Sequence, residues 1–367
     1  MHALRDFVQQ AAGFWLATGG LAIGMVFGFL VYRTNFCTMG AISDVVNLDD
    51  YRRMRSWLLA AATAIVGTQA LALTDAVPLA KSMYLGTTLN WFGNVVGGLM
   101  FGFGMVFAGG CASRNLARVG GGDLRALMTL IVMGLFAYMA LGGILGPARA
   151  WIEQATSINL AGLKVATQSV GDLLGAMTSL GAKAGNMIVG LGVTIAAAIY
   201  CFRDEGFRSS PVHIIAGIGV GLCAVAGWAL TGLAYDEIAT RTTSPISLTF
   251  VRPTADSIEW LQRFTAAMTP GFGVTTVFGA ILGAFVAALS MGRFRFATFS
   301  DVGDTKRTLL GAAMMGIGGV LAMGCTIGQA VTGLSTLALG SFLTFAAIII
   351  GGVRGMKTLE NSLTNEA

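Results

Sequence analysis

The chain has 367 residues, of which 55% are hydrophobic and only 11% are charged, and its mean hydropathy is +0.74. Soluble domains carry about 25% charged residues, so the composition excludes an ordinary soluble protein and indicates a polytopic all-α membrane protein. The net charge of +5 does not indicate a nucleic-acid partner, because basic residues must first be divided between the two sides of the bilayer.

Nine apolar segments are long enough to cross a bilayer, which takes about 17 to 25 helical residues. They are residues 14–32, 56–77, 92–109, 124–146, 186–202, 212–234, 271–291, 308–324 and 334–353. No secretory signal peptide is expected, since the start MHALRDFVQQ leads directly into a full-length apolar span. Fifteen of the 23 basic residues lie on one side of these spans. Because Lys and Arg are enriched on the cytoplasmic side, we predict a periplasmic N-terminus and a cytoplasmic C-terminus.

Three connecting segments are too short or too apolar to be plain loops. They are residues 37–48, 111–122 and 325–333, which follow the first, third and eighth spans. We predict half-length or re-entrant helices there, which the membrane interior tolerates only where they are buried in protein or line a cavity. Residues 150–185 and 235–270 carry charged residues and tryptophans, and are predicted to form amphipathic stretches outside the membrane.

A glycine pattern that ends in cysteine occurs twice. Residues 102–111 follow the pattern Gly-x-Gly-x-Val-x-Ala-x-Gly-Cys, and residues 316–325 repeat it 214 residues later. The two parent spans would run in opposite directions, which is the inverted-repeat pattern of transporters. A second, weaker echo pairs residues 43–45 with residues 300–302, both Ser-Asp-Val.

This duplication predicts one membrane transport domain over residues 1–367. Its first half covers about residues 1–205 and its second half about 206–357, with a short cytoplasmic tail at 358–367. The break between halves is expected near the polar run at 203–211.

A cysteine at a helix break places a polarizable thiol beside the unpaired N–H groups and partial positive charge of the next helix. Together these groups suit a small sulfur-containing anion. The two breaks also align two amides, Asn115 and Gln329. The predicted site residues are Cys37, Gly110, Cys111, Arg114, Asn115, Gly324, Cys325, Thr326 and Gln329. Cys37 is expected to contribute less than the other two cysteines, because its sequence setting is not repeated.

Several of these polar residues have a second interpretation. Arg114 either binds the anion or sets topology at the cytoplasmic interface. Asp44 and Asp301 either carry protons or cap helix N-termini. Cys201 and Cys223 are expected to pack as small hydrophobic side chains. With two histidines and no Cys/His spacing of a zinc site, neither a metal nor a cofactor is expected.

At these residues the sequence resembles the YeeE/YedE family of sulfur-transport membrane proteins, whose members take up thiosulfate. The resemblance rests on Asn35-Phe36-Cys37-Thr38 and on residues 109–114 and 323–328, and it covers nearly the whole chain. It implies a bacterial inner-membrane bundle of helices and half-helices, pinched at its middle. Cys37, Cys111 and Cys325 would line the pinch and pass thiosulfate inward through S–H hydrogen bonds. It also implies a cytoplasmic sulfur-carrier protein of the TusA type as a partner.

Two other functions fit the same residues. One is a membrane sulfurtransferase, in which a cysteine thiolate holds the sulfane sulfur as a persulfide. The other is transport of a related sulfur or selenium compound. A scaffold role would leave the repeated breaks unexplained.

Overall fold

The computed structural model describes residues 2–74, 77–163, 165, 167–178, 181–237, 244–266 and 268–366. Within these ranges the chain is helical apart from loops and one antiparallel pair of two-residue strands, β1 (Thr88–Leu89) and β2 (Ile158–Asn159). The predicted all-α class is therefore confirmed. Lys164 and Arg241, two basic residues on the predicted outer side, lie outside the described residues.

The helices fall into two sets along the chain. The first set is α1 (His2–Gln10), α2 (Ala12–Thr34), α3 (Thr38–Leu48), α4 (Arg52–Leu73), α5 (Gly98–Phe107), α6 (Ala112–Gly120), α7 (Leu124–Leu141), α8 (Gly146–Thr156), α9 (Val170–Thr178) and α10 (Ala182–Phe202). The second set is α11 (Glu205–Arg208), α12 (Pro211–Leu233), α13 (Val251–Gln262), α14 (Phe272–Ser290), α15 (Val302–Leu321) and α16 (Leu339–Glu366). Short 3-10 turns lie at Leu79–Lys81, Leu160–Leu163 and Phe264–Ala266, and π-helical segments at Gly93–Gly97 and Gly328–Gly333.

Eight stretches of the described chain are long and apolar enough to cross a membrane. They are Ala12–Leu48, Arg52–Leu73, Gly93–Gly120, Leu124–Leu141, Ala182–Phe202, Pro211–Leu233, Phe272–Ser290 and Leu339–Ser362. They match eight of the nine predicted spans. The ninth, 308–324, falls in α15, whose first turns carry Asp304, Lys306 and Arg307 and so shorten its apolar part. Even so, α15 packs inside the bundle against α5 and α7.

Helices of the two halves pack in exchanged pairs. Helix α2 packs along α14 while α4 packs along α12, and α5 packs along α16 while α7 packs along α15. If α2 is exchanged with α12 and α4 with α14, the α2–α14 pair becomes the α12–α4 pair. If α5 is exchanged with α15 and α7 with α16, the α5–α16 pair becomes the α15–α7 pair. Halves related by a two-fold axis produce this contact pattern, as in an isologous interface.

The same exchange shows which short helices correspond. Helix α3 packs on α4 and α16, and α13 packs on their counterparts α14 and α7. The counterpart of α3 is therefore α13, so the Ser-Asp-Val echo is not a structural repeat. Asp44 lies within α3 and pairs with Arg53, with 3.0 Å between Oδ2 and Nε. Asp301 instead caps α15, where its side chain accepts a hydrogen bond from Asp304 N at 2.9 Å.

The chain leading into α13 is buried in the core. Leu248, Phe250 and Ala255 are fully buried, and the Phe250 ring lies 4.9 Å from that of Phe27. This part of 235–270 is therefore not a surface segment, because its apolar residues pack in the core. Helix α8 does lie at the surface, with Trp151 71% exposed.

Glycine allows the α2–α14 pair to pack closely. A Cβ at Gly28 would lie 2.0 Å from Ala280 O, and one at Gly283 would lie 1.9 Å from Met25 O. No side chain fits at such distances, so these glycines let the two backbones touch, as small residues do at membrane helix interfaces.

Candidate functional site

Each of the three predicted cysteines follows the same kind of helix end. Asn35, Gly109 and Met323 adopt left-handed backbone conformations, with φ of 55°, 69° and 57°. In each case the next N–H bonds to the carbonyl five residues back, which is the hydrogen bond of a Schellman motif. The three bonds are Phe36 N to Val31 O at 3.2 Å, Gly110 N to Met105 O at 2.8 Å and Gly324 N to Gly319 O at 2.8 Å.

Each cysteine then begins the next helix. Cys37 caps α3, and its Sγ accepts a hydrogen bond from Gly40 N at 3.4 Å. Cys325 Sγ accepts one from Gly328 N, also at 3.4 Å. Cys111 is the N-cap of α6, with its Sγ 3.2 Å from Ser113 Oγ. Every thiol thus lies at the positive end of a helix.

The structure brings the three thiols together inside the bundle. Cys111 and Cys325 are fully buried, and Cys37 is 6% exposed. The thiols of Cys37 and Cys111 interact directly, and Cys325 lies within electrostatic range of Cys111. Two hydroxyls accompany them: Thr38 Oγ1 lies 4.0 Å from Cys111 Sγ, and Thr249 Oγ1 lies 3.9 Å from Cys325 Sγ.

The other two cysteines lie on uninterrupted helices. Cys201, on α10, donates to Arg55 O at 3.2 Å and packs in a small cluster with Leu59 and Phe207. Cys223 packs in the apolar core within α12. Both positions are those expected of small hydrophobic side chains.

The paired amides close the helix breaks. Asn115 Nδ2 donates to Gly110 O at 2.9 Å, and Gln329 Nε2 donates to Ala322 O. Ala322 O lies at the end of α15, where helix carbonyls lack partners, and Gly110 O lies in the turn directly before Cys111. Gln329 Oε1 in turn accepts from Ser341 Oγ at 2.6 Å. The two amides therefore occupy equivalent positions, and their contacts hold the breaks in shape.

Arg114 and Arg118 have different surroundings although they lie on the same helix. Arg118 donates to Gly109 O at 2.9 Å and pairs with Asp123 at 2.7 Å. The Arg114 guanidinium is half-buried and, among the described residues, has neither a hydrogen bond nor an ion pair, while its charge acts on Cys37. Thr326 is fully buried, and its hydroxyl lies next to the Cys111 thiol.

A cavity of about 570 Å³ leads toward Cys325 from one side of the bundle, and reaches Thr249, Met323 and Gly324 at its inner end. Its walls carry an ion pair between Arg149 and Glu153, at 2.7 Å, and the exposed Arg252. Cys37 itself borders a narrow crevice, which is lined by Arg53, Trp57 and His213 among others. The structure thus has a wide cavity on the Cys325 side and a narrow crevice at Cys37.

Sequence reasoning missed two residues next to Cys325. Thr249 precedes α13, the counterpart of α3, so it occupies the region where the first half has Cys37 and Thr38. Tyr84 lies in the loop before β1, with its hydroxyl close to Gly328. The segments that lead into α3 and α13 carry different residues, so the sequence does not relate Thr249 to Cys37. Nothing in the sequence links Tyr84 to the repeat.

Comparisons with known proteins agree with these observations. A family model described as sulphur transport matches residues 33–354, which include all three cysteines. A thiosulfate transporter, TsuA, of Spirochaeta thermophila is 26% identical over 341 residues, covering 90% of this chain and 96% of the relative. The TsuA of Escherichia coli K12 is 25% identical over 356 residues, covering 92% and 93%. The chain belongs to the sulphur-transport family of membrane proteins.

Proposed function

We propose that this protein carries thiosulfate across the bacterial inner membrane into the cytoplasm, along a path lined by Cys325, Cys111 and Cys37. The observation that carries the proposal is the threefold use of one local structure. Three helix ends of the same type bring three buried thiols together, beside a cavity that Gly324, the neighbour of Cys325, lines. A packing role for cysteine would not require three helix breaks within the membrane, where each break is costly.

The chemistry of these groups suits transient contact with a divalent anion. A thiol is a weak donor and a weak acceptor, and a helix N-terminus supplies only a fraction of a charge. Transport requires binding that is favourable enough for entry and weak enough, over several sites, for release. Three thiols at three helix starts meet that requirement better than a buried cation would.

The arrangement of the thiols suggests an order of contacts. Thiosulfate would enter through the 570 Å³ cavity, meet Cys325 first, pass Cys111 and leave past Cys37. Arg114, half-buried and without a partner among the described residues, would attract the anion at the Cys37 end. Since fifteen of the 23 basic residues fall on the predicted cytoplasmic side, we assign the Cys37 end to the cytoplasm.

A cytoplasmic sulfur-carrier protein of the TusA type is the partner we propose at that face. Several arginines there, among them Arg203, Arg208 and Arg293, are exposed and would attract an acidic surface. After entry, a thiolate of the carrier would attack the sulfane sulfur of thiosulfate and form a persulfide, and the S–S bond of thiosulfate would break with sulfite as the leaving group.

The test is uptake by the purified full chain in proteoliposomes. Thiosulfate labelled at its sulfane sulfur is added outside, and the chemical form of the internal label is determined. We expect intact thiosulfate inside. Label on the protein as a persulfide, with release of sulfite, would instead support the sulfurtransferase. Preferential uptake of another sulfur or selenium anion would change the substrate, and uptake no faster than in protein-free liposomes would contradict the proposal.

A further inference from the structure

The Tyr84 hydroxyl is buried without a partner beside the path. Tyr84 is 3% exposed, and its hydroxyl makes no hydrogen bond within the described part of the chain. Its ring packs edge-on against Trp228, with 6.3 Å between centroids. The packing fixes the ring, so the hydroxyl points to one place. A buried hydroxyl without a partner costs stability, and such groups in native structures call for an explanation.

The Tyr84 hydroxyl and the Thr249 hydroxyl both lie next to Gly328. A methyl group on Gly328 would lie 2.5 Å from Thr249 Oγ1 and 3.4 Å from the Tyr84 hydroxyl. The Gly328 N–H donates to Cys325 Sγ at 3.4 Å, and Thr249 Oγ1 lies 3.9 Å from the same sulfur. Two hydroxyls and one thiol therefore lie close together beside Gly328, where a side chain would clash with Thr249 Oγ1.

These groups adjoin the outer cavity. Thr249 and Met323 line the cavity itself, and Tyr84 lines a crevice that Met323 also borders. An anion at the inner end of the cavity would meet Thr249, Tyr84 and Cys325 before it met Cys111.

We propose that Tyr84 and Thr249 form the oxygen-binding half of the entry site and orient thiosulfate there. This inference rests on the proposed transport of thiosulfate. The hydroxyls donate to the oxygens of the SO₃ group, which are hard acceptors, and the Cys325 thiol contacts the terminal sulfur, which is soft. Sulfate, which has oxygen at all four positions, satisfies the hydroxyls but not the thiol. Tyr84 and Thr249 thus determine affinity for the oxyanion end, and Cys325 selects for sulfur.

The experiment compares Tyr84→Phe, Thr249→Val and wild type in the proteoliposome assay, with sulfate as a competitor. A lost hydrogen bond to a charged group raises the KM for thiosulfate about tenfold or more. Tyr84→Phe should also weaken inhibition by sulfate. Without substrate, its melting temperature should equal or exceed that of wild type, because the variant removes an unpaired buried hydroxyl. Thr68→Val is the matched control: Thr68, on α4, is also buried without a partner in the described chain, and its KM should not change.

The outcomes separate this inference from the proposed function. If wild type does not transport thiosulfate, the proposed function itself fails. If wild type transports it and Tyr84→Phe keeps the wild-type KM and sulfate inhibition, the entry-site assignment is overturned while the function stands. Should Thr249→Val not fold, Tyr84→Phe alone decides the result.

Discussion

At the level of single residues, the proposed path depends on the difference between a thiol and a hydroxyl. Serine keeps the size and the donor of cysteine but replaces a soft sulfur with a harder, more strongly solvated oxygen. Within this site both groups are present, since Thr38 and Thr249 place hydroxyls about 4 Å from Cys111 and Cys325. A path that needed only small polar groups would therefore already have them.

The structure changes what we expect of Cys37. From the sequence its setting looked unique, but Cys37 follows the same left-handed helix end as the other two cysteines and caps the next helix in the same way. We predict that Cys37→Ser reduces the initial rate of thiosulfate uptake about tenfold, since loss of about 1.4 kcal/mol at the barrier has that effect. Cys201→Ser and Cys223→Ser are the controls and should transport at near-normal rates. A normal rate for Cys37→Ser would remove Cys37 from the path.

The site could be predicted in part because cysteine is rare in a chain like this and two of the three share a repeat. Cys111 and Cys325 were found by their glycine pattern. Tyr84 and Thr249 were not, because tyrosine and threonine are common residues and their approach to Cys325 depends on packing against Trp228 and Gly328. Burial without a partner marks Tyr84, and only the folded chain reveals it.

At the scale of elements, one unit occurs three times: a helix, a left-handed residue and a cysteine that begins the next helix. The left-handed residue is Asn35 in one copy, Gly109 in the second and Met323 in the third. Asparagine and glycine adopt this conformation readily, whereas methionine does so only when the surrounding structure holds it. The Met323 copy could be inferred from the repeat, but the Asn35 copy required the backbone geometry.

The two breaks should respond differently to the same substitution. Gly110 has φ of +147°, which side chains rarely adopt, and a Cβ there would lie 3.0 Å from Arg114 Cγ. We expect Gly110→Ala to destabilise the protein by roughly 1–3 kcal/mol. Gly324 has no positive φ, and its Cβ would make ordinary contacts of 3.4 Å with Gln329, so Gly324→Ala should cost less than about 0.5 kcal/mol. Thermal unfolding in detergent measures both, and equal losses would contradict the local geometry.

The corner between α6 and α7 depends on Asp123. This residue caps α7 through Arg125 N at 3.0 Å and pairs with Arg118 at 2.7 Å. Partial burial opposes ionisation, but hydrogen bonds from Arg125 and Arg118 outweigh it and lower the pKa of the Asp123 carboxyl. A folded-state pKa below the unfolded value stabilises the protein at neutral pH, and this stabilisation is lost as pH falls through the folded pKa.

We therefore expect Asp123→Asn to lower stability at pH 7 by roughly 1–3 kcal/mol, the range for hydrogen bonds to charged groups and their loss. The difference from wild type should shrink as the pH falls into the acid range, where the wild-type carboxyl is protonated. Melting temperatures measured across pH give this comparison. A difference that stays constant with pH would mean that the charge of Asp123 does not stabilise the corner.

At the scale of the whole molecule, the exchanged helix pairs show how the two halves are combined. The sequence indicated the duplication through residues 102–111 and 316–325, yet it assigned the wrong partner to α3. The Ser-Asp-Val echo lies in α3 in one copy and at the start of α15 in the other, whereas packing pairs α3 with α13. No shared residues mark α3 and α13, because what they have in common is their place in the bundle.

The predicted orientation in the membrane rests on the basic residues and can be tested directly. Cysteines introduced in place of Arg208 and Lys306 should be protected from an impermeant thiol reagent added outside whole cells, since both residues are predicted to be cytoplasmic. Cysteines in place of Lys81 and Arg263 should react. All four positions are exposed, and all five native cysteines are buried, so the background should be low. The reverse pattern of labelling would invert the topology and the proposed direction of transport.

The most direct test of the central claim is thiosulfate uptake by the Cys111→Ser, Cys325→Ser double variant in proteoliposomes. The variant keeps two donors of nearly the same size at the inner end of the cavity and changes only sulfur to oxygen. We predict a protein that inserts and melts like wild type but loses most of its uptake, at least about tenfold. Uptake at the wild-type rate would contradict the thiol path, and would leave the helix N-termini and the hydroxyls as the groups that admit the anion.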